Sequence, residues 1–96
     1  MLVVTGTVTA RPETFEALLE AALAHVARSR LEPGCRLHSV HVDAENPLRL
    51  FFYEEWADRA ALDAHFAAPE SLAYIKVARE LAASGSRIKI LPIVER

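Results

Sequence analysis

The side chains best suited to acid–base chemistry in this sequence lie between Glu54 and His65. An imidazole titrates near neutral pH and burial disfavours its charged form, so His65 could act as a neutral base. Trp56 could form a flat wall for an aromatic ligand, with its indole N–H as one donor. A strand that ends at Trp56, followed by a helix with His65 on its inner face, would place both rings at one cavity. The same residues also fit an ordinary hydrophobic core, and this alternative stays open.

Further polar and aromatic side chains are expected beside this pair. If residues 44–47 form a hairpin turn, His41 and Phe52 share one face of the sheet and His38 lies on the other. A slip of one residue in this pairing would exchange the two sets. Tyr74, on the last helical segment, could close the pocket or pack at an amphipathic surface. The predicted face beneath the helices therefore comprises Ser39, His41, Phe52, Glu54 and Trp56.

The remaining reactive side chains give weaker predictions. Inside a cavity, Glu54 would need a partner or a proton and could orient an imidazole or a phenol; outside, it would be a solvated residue. His38 and His41 are expected on opposite strand faces, so no metal site is predicted. Cys35 fits a small buried hydrophobe better than a nucleophile. The sequence also lacks a Gly-rich phosphate loop, a Cys-x-x-Cys motif and a G-x-S-x-G elbow.

The elements that must position these residues follow from hydrophobic periodicity. Apolar residues recur at helical spacing after Pro12, after Asp58 and after Pro69. Alternating or apolar runs predict strands over residues 2–10, 35–43 and 48–56, and Ile88, Ile90 and Ile93 mark a last strand. The Ser84-Gly85-Ser86 segment is expected to end the third helix, and Pro92 to lie at an edge or a bulge. The order βαββαβ predicts a ferredoxin-like α+β fold.

Composition limits the class of protein further. The chain has 96 residues, 52% of them hydrophobic, and a formal net charge of -2, which predicts one domain over residues 1–96 and argues against nucleic acid as a partner. It has no long apolar run and no signal-peptide pattern, so a cytoplasmic protein without a membrane partner is expected. The third strand is apolar on both faces, which predicts that a second copy covers the outer face and forms a homodimer.

A resemblance follows from the residues already named. A strand ending Glu54-Glu55-Trp56, a capping Asp58, the pair Ala61-Leu62 and then His65, preceded by Glu32-Pro33-Gly34-Cys35, resembles the antibiotic biosynthesis monooxygenase family. The resemblance covers nearly the whole chain. It implies a dimeric α+β barrel, with an antiparallel sheet and helices on one face. It also implies a quinol monooxygenase-like oxidoreductase that needs no metal, flavin or haem cofactor.

The function expected from this resemblance is the oxidation of a small electron-rich aromatic, such as a hydroquinone or an anthrone, by dioxygen. The substrate would lie against Trp56 and Phe52, and His65, with Glu54 or His41, would remove its proton. A haem-degrading relative of the same fold would have an asparagine on the first strand, where this chain has Thr5-Gly6-Thr7. Haem breakdown is therefore not expected.

Two alternatives from other classes remain. A small-molecule isomerase also needs a general base, but a phosphorylated substrate would need a cationic cradle, for which Arg36 and Arg49 are the only basic residues near the predicted face. A non-catalytic dimer that binds a reactive metabolite would use the same pocket without turnover.

Overall fold

The computed structural model describes residues 1–94, which form four strands and three helices. Each element that the sequence predicts is present. In chain order they are β1 (Leu2–Ala10), α1 (Phe15–Ser29), β2 (Cys35–Asp43), β3 (Asn46–Trp56), α2 (Arg59–Ala67), α3 (Pro69–Leu81) and β4 (Ala82–Pro92).

The four strands form one antiparallel sheet in the order β2-β3-β1-β4. This order is that of a ferredoxin-like βαββαβ fold, so the predicted fold class is confirmed. Along β3, buried and partly buried residues alternate, and the buried set comprises Leu50, Phe52, Glu54 and Trp56. The helices cover this inner face, where α1 packs Leu18, Ala22 and Val26 against the sheet.

Local chemistry accounts for the start of α2, the helix that contains His65. Asp58 lies in an extended conformation, and its side chain accepts a hydrogen bond of 2.8 Å from the backbone N–H of Ala61. This N-cap satisfies one of the free N–H groups of the first turn, as the sequence predicts. The cap fixes the first turn of the helix whose inner face contains Leu62 and His65, both buried.

The predicted register of the β2–β3 hairpin was wrong by one residue. His38 pairs with Glu54, and His41 pairs with Phe51. The reason is that Asp43 pairs with Asn46 across a short turn, and an irregularity between Val42 and Asp43 shifts the rest of the ladder. His38 therefore belongs to the inner face, whereas Ser39 and His41 belong to the outer face.

Two element boundaries also differ from expectation. Pro12 lies in a turn before α1, whose first helical residue is Phe15. The third helix ends at Leu81, so Ser84-Gly85-Ser86 falls inside β4 and not at a helix end. Register shifts in the β1–β4 pairing accompany this segment. Pro92 ends β4, which is an edge strand, as predicted.

Among the described residues, no helix is both long and apolar enough to cross a membrane.

Candidate active site

A cavity of about 360 Å³ lies between the inner face of the sheet and the helices. Every helix contributes to its wall. Phe52 and Glu54 come from β3, His25 from α1, His65 from α2 and Tyr74 from α3. Most of the remaining lining is apolar, including Val4, Val8, Phe66, Ile75 and Ile88. A cavity of this size and character is typical of sites for small organic ligands.

His65 is held by a carboxylate from the loop before β2. Its Nδ1 lies 2.5 Å from Oε1 of Glu32, and the residue is only 3% exposed. A carboxylate only accepts hydrogen bonds, so Nδ1 is the donor and the neutral ring keeps a lone pair on Nε2. That Nε2 lies 4.0 Å from Oε1 of Glu54, which also lines the cavity. The His65–Glu32 pair has the geometry of a histidine base oriented by a carboxylate.

Arg28 fixes the other side of Glu32. Its Nη1 donates to Oε2 of Glu32 at 3.2 Å, and its Nη2 contacts Nδ1 of His25 and Oγ of Ser71, both at 3.0 Å. The guanidinium thus joins α1 to α3 and leaves Oε1 of Glu32 for His65. Because Arg28, on the packed helix α1, holds the loop carboxylate of Glu32, the orientation of His65 is set by the fold.

Glu54 is a buried carboxylate with two partners. Its Oε1 accepts a 2.9 Å hydrogen bond from Nε1 of Trp56 and lies 3.2 Å from Nε2 of His38. Burial alone raises the pKa of Glu54, but the contacts with His38 and Trp56 outweigh it, so the pKa lies below its ordinary value. A negative charge therefore sits at the cavity wall near neutral pH.

His25 and Tyr74 form a stacked pair above this carboxylate. Their ring centroids are 4.3 Å apart, with 11° between the ring planes. Burial, followed by the neighbouring charges of His38, His65 and Arg28, lowers the pKa of His25 to about 3, so this imidazole is neutral at pH 7. Burial and the charge of Glu54 raise the pKa of Tyr74 to about 12, so its phenol keeps its proton.

The predicted site residues divide into two groups. His65, Phe52, Glu54 and Tyr74 line the cavity together, although their roles stay predictions. Trp56 is fully buried and is not among the residues of the cavity wall, so the structure does not place it where a ligand platform would be; its role stays a prediction. His41 lies exposed on the outer face, with its Nε2 2.9 Å from Oγ of Ser39. The prediction that His41 lies under the helices was wrong.

The sequence reasoning did not select three residues that contribute to the site, and only one of them had a usable signal. Glu32 belongs to the segment Glu32-Pro33-Gly34-Cys35, but nothing in the sequence links its carboxylate to a distant helix. His25 follows Leu18 and Ala22 on the inner stripe of α1, and this spacing could have placed it. His38 was assigned to the wrong face by the register.

These features define a class: a ferredoxin-like α+β domain with a carboxylate-oriented histidine at the wall of an interior cavity. The sequence profile of the family "Antibiotic biosynthesis monooxygenase" matches residues 1–77. The chain belongs to this family.

Several individual proteins are similar to this chain over nearly its whole length. An uncharacterized protein of Synechocystis sp. is 33% identical over 94 residues, covering 98% of this chain, which spans 64% of the length of that relative. Rv0793 from Mycobacterium tuberculosis is similar with a TM-score of 0.91 at 26% identity, covering 99% of this chain and 96% of that one. PA3566 from Pseudomonas aeruginosa gives a TM-score of 0.87 at 31% identity, covering 98% of this chain and 94% of that one. A structure named antibiotic biosynthesis monooxygenase gives a TM-score of 0.91 at 28% identity, covering 99% of this chain and 100% of that one.

Proposed function

We propose that this protein is a monooxygenase that oxidises a small electron-rich aromatic, such as a hydroquinone or an anthrone, and needs no metal, flavin or haem for turnover. The observation that supports it most strongly is the His65–Glu32 pair. Nδ1 of His65 is bound to Oε1 of Glu32 at 2.5 Å. Nε2 is therefore the ring nitrogen of His65 that is available to a substrate at the cavity wall. Family membership supports the reaction class.

In the proposed reaction, Nε2 of His65 takes a carbon-bound or phenolic proton, and Glu32 stabilises the imidazolium that forms. The substrate anion gives one electron to dioxygen, and the resulting radical and superoxide combine to form a C–O bond. Return of the proton gives a hydroperoxide. For an anthrone, loss of a second proton from the same carbon and cleavage of the O–O bond release one water and leave a ketone. The substrate supplies all the electrons, and one oxygen atom goes to each product.

The cavity lining favours a weakly polar, aromatic substrate. Phe52 and Tyr74 pack edge to face in its wall with ring centroids 6.1 Å apart, and the neighbouring lining is largely apolar. Exclusion of water would protect the substrate anion until dioxygen arrives. Arg79 is the only lysine or arginine among the described lining residues, which argues against a phosphorylated isomerase substrate.

The proposal includes a homodimer in the cytoplasm, with residues 1–96 as one domain. Phe51 and Tyr53 of β3 lie on the outer sheet face, opposite the helices, and Leu37 and Leu91 are 40% and 45% exposed on the same face. Packing two such faces together would bury these side chains between two sheets.

The test is product analysis with isotopic dioxygen. Chelator-treated protein is incubated under ¹⁸O₂ with a panel of hydroquinones and anthrones, and the products are examined by mass spectrometry. We expect one ¹⁸O atom in an enzymatic product and the other in water. Folded, metal-free protein that forms no labelled product with any member of the panel would contradict the proposal.

A further inference from the structure

Three histidines from three different elements meet beside the cavity. His25 lies on α1, His38 on β2 and His65 on α2, and one ring nitrogen from each lies within 4.8 Å of those from the other two. Their ring centroids are 5.3 to 5.4 Å apart. The proposed oxygenase reaction uses only His65. His25 and His38 therefore have no role in that reaction, and their position beside His65 needs another explanation.

His38 gives an independent sign that the cluster binds something. It is 1% exposed, and neither of its ring nitrogens makes a hydrogen bond to any group in the described part of the chain. Its Nε2 is 3.2 Å from Oε1 of Glu54, close enough for charge interaction but outside hydrogen-bonding geometry. Glu54 is thus a charged neighbour of Nε2, whereas Nδ1 of His38 has no hydrogen-bond partner among the described residues. A buried ring nitrogen without a hydrogen bond is costly, and native proteins rarely retain one without a reason.

We propose that His25, His38 and His65 form a binding site for one divalent transition-metal ion, of the class of Zn²⁺, Co²⁺ or Ni²⁺. Imidazole nitrogens are preferred ligands for these ions, and three of them with an open position are a common set. The carboxylate of Glu54 lies 3.2 Å from Nε2 of His38 and 4.0 Å from Nε2 of His65. It adds a negative charge and could supply an oxygen ligand at the fourth position.

The required movement is small. The three nitrogens are at most 4.8 Å apart, and at that separation each would lie about 2.8 Å from an ion at their centre. An ordinary Zn–N distance is about 2.1 Å, so each nitrogen must move inward by about 0.7 Å. The Glu32 carboxylate already holds Nδ1 of His65 and leaves Nε2 for the ion; a metal-bound histidine usually donates its other ring N–H to a carboxylate in this way.

His25 requires one proton shift. Arg28 contacts its Nδ1, so the neutral ring has its proton on Nε2. An ion bound at Nε2 would move that proton to Nδ1 and break the contact with Arg28. The guanidinium would keep its hydrogen bonds to Glu32 and Ser71.

The metal site and the proposed oxygenase reaction compete for the same atom. Nε2 of His65 can hold an ion or accept a proton, but not both, so a bound ion should inhibit the metal-free reaction. This consequence depends on the proposed function, whereas metal binding itself does not.

The experiment is a Co²⁺ titration of the chelator-treated protein of residues 1–96, followed by visible absorption and by equilibrium dialysis. We expect one ion per chain and the intense visible bands of tetrahedral cobalt. Two variants test the ligands: His25→Phe, at a partly exposed position, and His38→Phe, at a buried one. Circular dichroism checks that each variant is folded. Each variant should lose more than about 100-fold in cobalt affinity, because removing a ligand costs more than the roughly 10- to 100-fold of removing a residue that only holds a ligand in place.

The exposed histidine of the outer face supplies the control, because His41→Phe should bind cobalt like the native protein. Absence of cobalt binding by folded native protein would overturn the proposal. So would unchanged binding in folded His25→Phe, or loss of binding in His41→Phe. Since cobalt binding is read without any substrate, failure of the metal site and failure of the oxygenase proposal are distinguishable.

Discussion

Replacing Gly34 with alanine should destabilise the protein and disturb the loop that contains Glu32. Gly34 has a φ of 82°, in the left-handed region that favours glycine. A Cβ at this position would lie 2.5 Å from the Cβ of Ala61 in α2, where an ordinary carbon–carbon contact is about 3.5 Å or more. The backbone of Gly34 is also fixed, because its carbonyl accepts a 2.8 Å hydrogen bond from Ala57.

The expected cost has two parts. The left-handed conformation costs an L-residue about 1–2 kcal/mol. Relieving an overlap of about 1 Å against a packed helix is an overpacking problem of about 1–3 kcal/mol. Together they predict a loss of about 2–5 kcal/mol in the free energy of unfolding, or a fall in Tm of at least about 8 °C for a domain of this size.

The assay is urea unfolding followed by circular dichroism, with Gly85→Ala as the matched control. An added Cβ at Gly85 meets nothing within 4 Å, and this variant should stay within about 0.5 kcal/mol of the native protein. Adding Ala61→Gly to Gly34→Ala should remove the steric part and give a favourable coupling of about 1–3 kcal/mol. The reasoning is refuted if Gly34→Ala is as stable as Gly85→Ala, or if the coupling is absent.

Three further perturbations test the site. Glu32→Gln should lower turnover roughly tenfold, because the amide oxygen can still accept a hydrogen bond from Nδ1 of His65 but lacks the negative charge that stabilises the imidazolium, a difference of about 1–1.5 kcal/mol; steady-state rates with an active substrate measure this, and an unchanged rate would show that the charge of Glu32 does not assist the base. Trp56→Phe should cost about 2–3 kcal/mol in urea unfolding, because buried Glu54 loses its indole donor; a change below about 0.5 kcal/mol would contradict that view. Cys35 should react slowly with iodoacetamide at pH 8, because burial, followed by the charge of Glu54, raises its thiol pKa and leaves less thiolate. Alkylation as fast as in the urea-unfolded chain would show that the thiol is not protected.

The sequence allowed the fold to be predicted because local and global signals agree. The helical spacing after Pro12, the Asp58 cap and the strand ending at Trp56 each specify one element. Their order then leaves few topologies. Among the element boundaries, the larger difference was that between α3 and β4. A Ser-Gly-Ser segment is a strong signal for a loop, but here pairing with β1 holds it within an irregular edge strand.

The site was harder to predict because it depends on contacts between distant parts of the chain. His65 could be selected from its own helix, whereas its partner Glu32 is 33 residues away and contacts it only after α2 packs on the loop. His38 was missed because one residue of register decides which face a strand residue occupies. Trp56 has the residue type of a ligand platform, but the fold uses its N–H to satisfy buried Glu54.

The role of His65 is tested most directly by the rate of dioxygen uptake by chelator-treated protein with the best substrate of the panel. Native protein, His65→Gln and His41→Gln are compared, after circular dichroism confirms that each is folded. We expect uptake to fall by at least about 100-fold in His65→Gln, in the range typical of a lost general base, and to stay at the native rate in His41→Gln. Native-rate uptake in His65→Gln would contradict the assignment of this histidine as the base.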